Sequence, residues 1–101
     1  MPNPNIQKMV LELTKKIPKG RVSSYKEISR MLKIHPRQVA IILSRNPHPV
    51  RIPCHRIVHA DGRVGGYTPK GKDEKIKLLK KEGVKIINGK VDRNLFYFFR
   101  A

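Results

Sequence analysis

Ile6, Met9, Val10, Leu13 and Ile17 recur at helical spacing, and Pro18, Lys19 and Gly20 close the pattern, which predicts a first amphipathic helix. Ser24, followed three residues later by Glu27, predicts a capping box opening a short second helix with Ile28, Met31 and Leu32 on its apolar side. After a brief turn, Pro36 suits the first position of a third helix reaching about Ser44. Val39, Ile42 and Leu43 form its inner face and leave Arg37, Gln38 and Arg45 outside. Two short helices joined by a tight turn predict a helix-turn-helix whose recognition helix is the third. Beyond the proline-rich stretch NPHPVRIP, Ile57, Val58 and His59 are expected to face Arg63, Val64 and Gly65 across an Asp61-Gly62 hairpin turn. A fourth helix is expected from about Asp73 to Glu82, with Ile76 and Leu79 inward and Gly83 as its C-terminal cap. VKIINGKVD then predicts an Asn-Gly hairpin, and the apolar tail LFYFF reads as core cover. The pattern as a whole predicts a mainly α or α/β fold, a single winged helix-turn-helix with a small β-hairpin wing.

Charge narrows the function. The 101 residues contain 23 Lys and Arg against 7 Asp and Glu, a net charge of +16. Each half of the chain carries +8, so the whole molecule is basic rather than one tail. Such an excess is the footprint of a protein that neutralises phosphates, with binding that weakens steeply in salt. An anionic membrane surface is the competing partner, but no apolar run approaches the roughly 18 to 20 residues of a spanning helix, and no signal-like segment opens the chain. The expectation is therefore a cytoplasmic, nucleoid-associated protein, monomeric and not membrane-bound. A lone cysteine excludes an internal disulfide and a Cys-based structural zinc site, and no metal is expected.

That cysteine, Cys54, stands in RIPCHRIV, and on its own it reads as a small buried hydrophobe. Arg51, His55 and Arg56 change its surroundings, because positive charge favours the reactive thiolate. Adjacent side chains point in different directions, so His55 is poorly placed to take the thiol proton directly and a bridging water is needed. The histidine also requires a partner that fixes its tautomer, and among the acids Glu82, near a helix end, is the candidate.

IPCHRIV followed by GRVGGY resembles the active-site signature of the 6-O-alkylguanine-DNA alkyltransferases, which remove alkyl groups from damaged guanine. The resemblance runs from IPKGRVSSYKEI through HPRQVAIILSRNPHPVRIPCHRIV to KEGVKI, in the family's order and over most of the chain. It implies that Cys54 is the alkyl acceptor, that His55 deprotonates it through water, and that Glu82 orients His55. It also implies that Arg37 is the finger filling the place of a base flipped out of the stack, with Gln38, Ala40 and Arg45 beside it on DNA, while a solvated helix-face arginine is the alternative. Tyr25 would crowd the target phosphate and hydrogen-bond the base, easing guanine's departure. Asn46 would be the hinge between recognition helix and active-site segment, and Ile57, Thr68, Lys75 and Pro49 would line the guanine pocket. Lys75 reads equally as a surface lysine.

Two departures stand out. Full-length family members usually carry an additional N-terminal domain, whereas residues 1–101 are expected to form one DNA-binding and alkyl-acceptor domain without it. Many relatives have small residues just after the finger, where Ala40 and Ile41 stand here; an Ile41 facing DNA would hold the helix off, and one facing the core would be harmless.

The implied function is single-turnover repair of alkylated duplex DNA with no cofactor, the alkyl group ending on Cys54. Alkyltransferase-like proteins, which share the short architecture but typically replace the cysteine, offer the alternative of a sensor that flips alkylguanine without repairing it. A winged-helix binder with a buried cysteine is a third reading, and it leaves the Pro-Cys-His-Arg context unexplained.

Overall fold

The computed structural model describes residues 4–48, 51–65 and 71–100. Among the described residues, four helices and two small two-stranded sheets make a mainly helical α/β arrangement. Helix α1 spans Pro4–Lys15 and buries Val10 completely, but Met9 stays 47% exposed, contrary to its expected place on the inner face. Thr14 takes the inward position a turn beyond Val10, made tolerable by its Oγ1 donating to the Val10 carbonyl at 2.8 Å. Ile17 is buried just past the helix end.

Strand β1 (Ser23–Ser24) runs directly into helix α2 (Tyr25–Leu32). Ser24 caps α2, its Oγ accepting from the Glu27 N–H at 3.0 Å. The expected reciprocal half of the capping box is replaced, because the Glu27 carboxylate accepts from Arg30 at 2.9 and 2.8 Å and from the Phe99 N–H at 2.8 Å. Helix α2 ends at Lys33 in the left-handed region, and α3 (Pro36–Ser44) begins with Pro36 as predicted. His35 supplies its cap, Nδ1 accepting from the Arg37 N–H at 3.0 Å while Gln38 Oε1 accepts from the His35 N–H at 3.3 Å. Helices α1, α2 and α3 close over Val10, Ile17, Ile28, Val39, Ile42 and Leu43, and Cys54, Ile57 and Phe99 join the same cluster.

The expected hairpin across Asp61-Gly62 is corrected by the pairing. Strand β2 (Ile57–Val58) pairs in parallel with β1, Ser23 opposite Ile57 and Ser24 opposite Val58. The turn itself forms, with the His59 N–H donating to the Arg63 carbonyl at 2.9 Å, but the residues after it turn to another partner. The Val91 N–H donates to the Gly62 carbonyl at 2.9 Å, and the Val64 N–H to the Gly89 carbonyl at 3.0 Å. A Cβ at Gly62 would lie 2.6 Å from the Val91 carbonyl oxygen, so this close approach requires glycine.

Helix α4 spans Gly71–Lys81, starting two residues earlier than expected, with Asp73 and Glu74 in its first turn and Lys80 and Lys81 in its last, the polarity its dipole favours. Strands β3 (Ile86–Ile87) and β4 (Lys90–Val91) form the predicted Asn-Gly hairpin, with Asn88 and Gly89 both at positive φ. A second buried cluster joins Val22, Val58, Val64, Leu79, Val84, Val91 and Phe96. The tail lies along Val22 and Arg21, whose guanidinium donates to the Leu95 and Phe96 carbonyls at 3.0 and 2.6 Å; Phe96 and Phe99 are buried and Phe98 is exposed.

Candidate active site

Cys54 opens a single 3-10 turn, Cys54–Arg56, that feeds straight into β2. Its backbone is held from both sides: the Cys54 N–H donates to the Ile52 carbonyl at 2.7 Å, and Arg56 N–H to the Pro53 carbonyl at 2.9 Å. The cysteine is buried among core residues and in no disulfide, so it packs as a hydrophobe while its turn carries His55 and Arg56.

One residue on, His55 is fully buried and its Nε2 lies 3.0 Å from Glu82 Oε2. Arg56 grips the same carboxylate, Nε donating to Oε1 at 2.9 Å and Nη2 to Oε2 at 2.7 Å, while Nη1 donates to the Ile17 carbonyl at 2.8 Å. This changes the expected electrostatics, since Arg56 is committed to Glu82 and Arg51 is exposed. A further cation near this turn is Lys75, whose ammonium is influenced by the charge Cys54 can carry. It is 1% exposed, and its Nζ lies 5.8 Å from the Tyr25 ring centroid. Helix α4 delivers both partners, because Lys75, Leu79 and Glu82 follow one another at spacings of four and three along the helix and its end. Leu79 anchors that stripe in the second core.

Burial sets the ionisation states. It pushes the Lys75 ammonium down to about 8, opposed by the negative charge Cys54 can carry. Burial also raises the Tyr25 phenol, and the Cys54 charge adds to the shift. His55 is lowered by burial, which outweighs its bond to Glu82, and the Arg56 and Lys75 charges push the same way. For Glu82 burial acts upward, yet the hydrogen bonds from Arg56 and His55 prevail and hold the carboxyl below its ordinary value. At neutral pH the set is therefore a neutral histidine, an ionised carboxylate, a protonated phenol and a largely charged lysine.

Asn46 links the end of α3 to this turn: Nδ2 donates to the Ile52 carbonyl at 2.8 Å, and Oδ1 accepts from the His48 N–H at 2.9 Å. Ile57 is buried on β2. Pro49 and Thr68 lie outside the described residues. Arg37, Gln38, Ala40 and Arg45 are exposed on or at the end of α3, apart from the Cys54 cluster, and Ile41 is exposed with them at 41%. Two contacts escaped the sequence reading. Arg56 is the clamp on Glu82, detectable only as a cation next to a histidine that needs an acid. His59 packs against Tyr25, ring centroids 5.6 Å apart, and no spacing in the sequence pointed to it.

Comparison with known proteins fits this arrangement. The family model described as 6-O-methylguanine DNA methyltransferase, DNA binding domain, matches residues 5–84. The methylated-DNA--protein-cysteine methyltransferase of Thermococcus sibiricus is 45% identical over 80 residues, covering 78% of this chain and 45% of that protein. This chain thus matches just under half the length of that relative. The crystal structure of the O6-methylguanine-DNA methyltransferase of Pyrococcus kodakaraensis superposes with a TM-score of 0.71 at 40% identity, over 81% of this chain and 47% of that one. The S. pombe ATL protein, solved in complex with DNA, gives a TM-score of 0.73 at 28% identity and covers 94% of both chains. With the family model spanning all three N-terminal helices, the cysteine turn and α4, the chain belongs to the 6-O-methylguanine DNA methyltransferase family, through its DNA-binding domain.

Proposed function

We propose that the protein repairs alkylated guanine in duplex DNA by a single transfer of the alkyl group to Cys54. The observation that carries this reading is the Cys54 turn backed by the His55–Glu82 contact at 3.0 Å, with Arg56 clamping the carboxylate. With Nε2 directed at Glu82, Nδ1 is the nitrogen left for proton transfer, and His55 takes the Cys54 proton through a water. The sulfur then attacks the alkyl carbon in line, a C–S bond forms, and the C–O6 bond breaks with its electron pair passing to guanine. Lys75 stabilises the thiolate, Tyr25 donates to the departing base, and the proton held by His55 returns through water to leave neutral guanine. A thioether remains, so each molecule acts once and needs no cofactor.

Residues 1–101 act as one unit in this reading, a winged helix-turn-helix with α2 and α3 as the helix pair and the β3–β4 hairpin with residues 62–64 as the wing. Helix α3 enters the minor groove, Arg37 replaces the flipped base, Gln38, Ala40 and Arg45 adjoin the duplex, and Asn46 is the hinge between α3 and the Cys54 turn. Ile57 and Lys75 line the guanine pocket. The net charge of +16 supports duplex DNA as partner, and in this reading the protein is a monomer working at the nucleoid in the cytoplasm.

The near full-length likeness to the S. pombe ATL protein favours one second reading, a sensor that binds and flips the lesion without repair. A duplex whose restriction site is blocked by one 6-O-methylguanine separates the two. Repair restores cleavage in an amount equal to the protein added, and Cys54→Ser restores none. Tight lesion binding with no restored cleavage would establish the sensor instead.

A further inference from the structure

Arg37, Ile41 and Arg45 stand four residues apart along α3 and its C-terminal end, all exposed. At a rise of about 1.5 Å per residue they are spaced roughly 6 Å along one side of the helix. Ala40 and Ser44 beside Ile41 are small, and the Ser44 hydroxyl is turned down to donate to the Ile41 carbonyl at 2.6 Å. Ile41 is therefore the crest of this face, an apolar ridge between two cations. A β-branched residue in a helix has one strongly preferred rotamer, so the crest is stiff.

The dimensions of the partner give that crest a task. A helix with its side chains is roughly 10 to 12 Å across, whereas the minor groove of B-DNA is about 6 Å wide. A helix whose exposed face is flat and small can rest across the mouth of the groove on arginines at its two ends, whereas a stiff apolar crest between those arginines has to enter the groove and spread it. The cost depends on sequence, low at flexible TA and CA/TG steps and high in stiff A-tracts with narrow minor grooves. The geometry points to Ile41 as a wedge that makes this protein select deformable DNA, giving it a sequence-context preference without base-specific hydrogen bonds. This inference rests on the proposed entry of α3 into the minor groove.

Fluorescence anisotropy on lesion-free duplexes of equal length, one with central TA steps and one with a central A-tract, tests it. The unaltered protein should prefer the flexible duplex by about five- to tenfold, a span set by typical deformation costs. Ile41→Ala, at an exposed position where Ala is the better helix former, should narrow the ratio to within about twofold, chiefly by gaining affinity for the A-tract, and Ile41→Leu should keep most of the preference. An undiminished ratio in Ile41→Ala would overturn the wedge. So would a preference that vanishes when uracil replaces thymine in the duplexes, since that would place Ile41 against major-groove methyl groups. Arg37→Ala and Arg45→Ala control for the underlying reading: if neither weakens binding to either duplex, α3 is not the DNA-facing helix, whatever Ile41 does.

Discussion

Beside Cys54, the two polar side chains that follow it are placed by partners distant in the chain. His55 and Arg56 are held by Glu82, 27 and 26 residues on, and Arg56 also bonds the Ile17 carbonyl, 39 residues back. On α3 the opposite holds: Arg37 and Arg45 are exposed, no ion pair among the described residues engages them, and only the helix sets their spacing. One region is assembled before any partner arrives, and the other is left free to adapt to one. Preorganised, desolvated groups serve chemistry, where reorganisation at the moment of reaction is costly. Exposed cations serve phosphate binding, where counterion release does the work and fixed geometry adds little.

Glu82→Gln should break the buried side of this comparison most strongly. The amide cannot hold both Arg56 and the neutral tautomer of His55, so single-turnover transfer should slow by about 10² to 10⁴. The same change leaves the Arg56 guanidinium, whose side chain is only 15% exposed, without its counter-ion. Chemical unfolding should show a loss of about 3 kcal/mol.

Lys75 gives the next effect, with a defined sign. Its pKa falls on folding from the ordinary 10.5 to about 8. The charged lysine therefore opposes folding below about pH 8, and that penalty is relieved as pH rises toward 10.5 and the unfolded chain loses its advantage in binding the proton. Stability should rise by about 3 kcal/mol across this window in the unaltered protein relative to Lys75→Met, measured by denaturant unfolding at each pH. Equal pH dependence in the two proteins would mean that the lysine is solvated.

His55 predicts a smaller and more gradual change. Its pKa lies below the ordinary 6.5, so it is neutral and competent as a base through neutral pH. The transfer rate should be flat there and decline only in more acidic solution, by about tenfold per unit once the folded-state pKa is passed. A decline already complete at pH 7 would contradict a buried, neutral histidine.

Arg37→Ala should have the mildest consequence. Binding to duplex should weaken by about three- to tenfold with a shallower salt dependence, and stability should stay within about 0.5 kcal/mol of the unaltered protein. A large loss of stability would show that this arginine belongs to the fold and would erase the contrast between the regions.

What could be read from the sequence was local. Ser24 as a cap, Pro36 at the start of α3 and Asn88-Gly89 as a turn each act through neighbours within a few residues, and all three appear where expected. The parallel β1–β2 pair was invisible, because two-residue strands carry no periodicity and Ser23-Ser24 carries no β signal. Glu27 looked like half of a capping box and instead fastens the tail at Phe99, 72 residues away. Lys75 was legible only through the family resemblance: within GKDEKIKLLKK it looks like every other lysine, and tertiary packing decides against the surface reading by burying it. Of the candidate site, the pairing of His55 with Glu82 was legible, because a histidine serving a reactive thiol calls for an acid that fixes its tautomer. The Arg56 clamp and the packing of His59 on Tyr25 were not.

The central claim is that Cys54 accepts the alkyl group. Intact-mass analysis after incubation with an excess of duplex containing 6-O-methylguanine tests it most directly. The account predicts a gain of one methyl group per molecule, mapping to Cys54 after proteolysis, and no gain in Cys54→Ser. An unmodified protein that still binds the lesion duplex more tightly than the undamaged one would contradict the account and leave Cys54 as a core residue of a damage sensor.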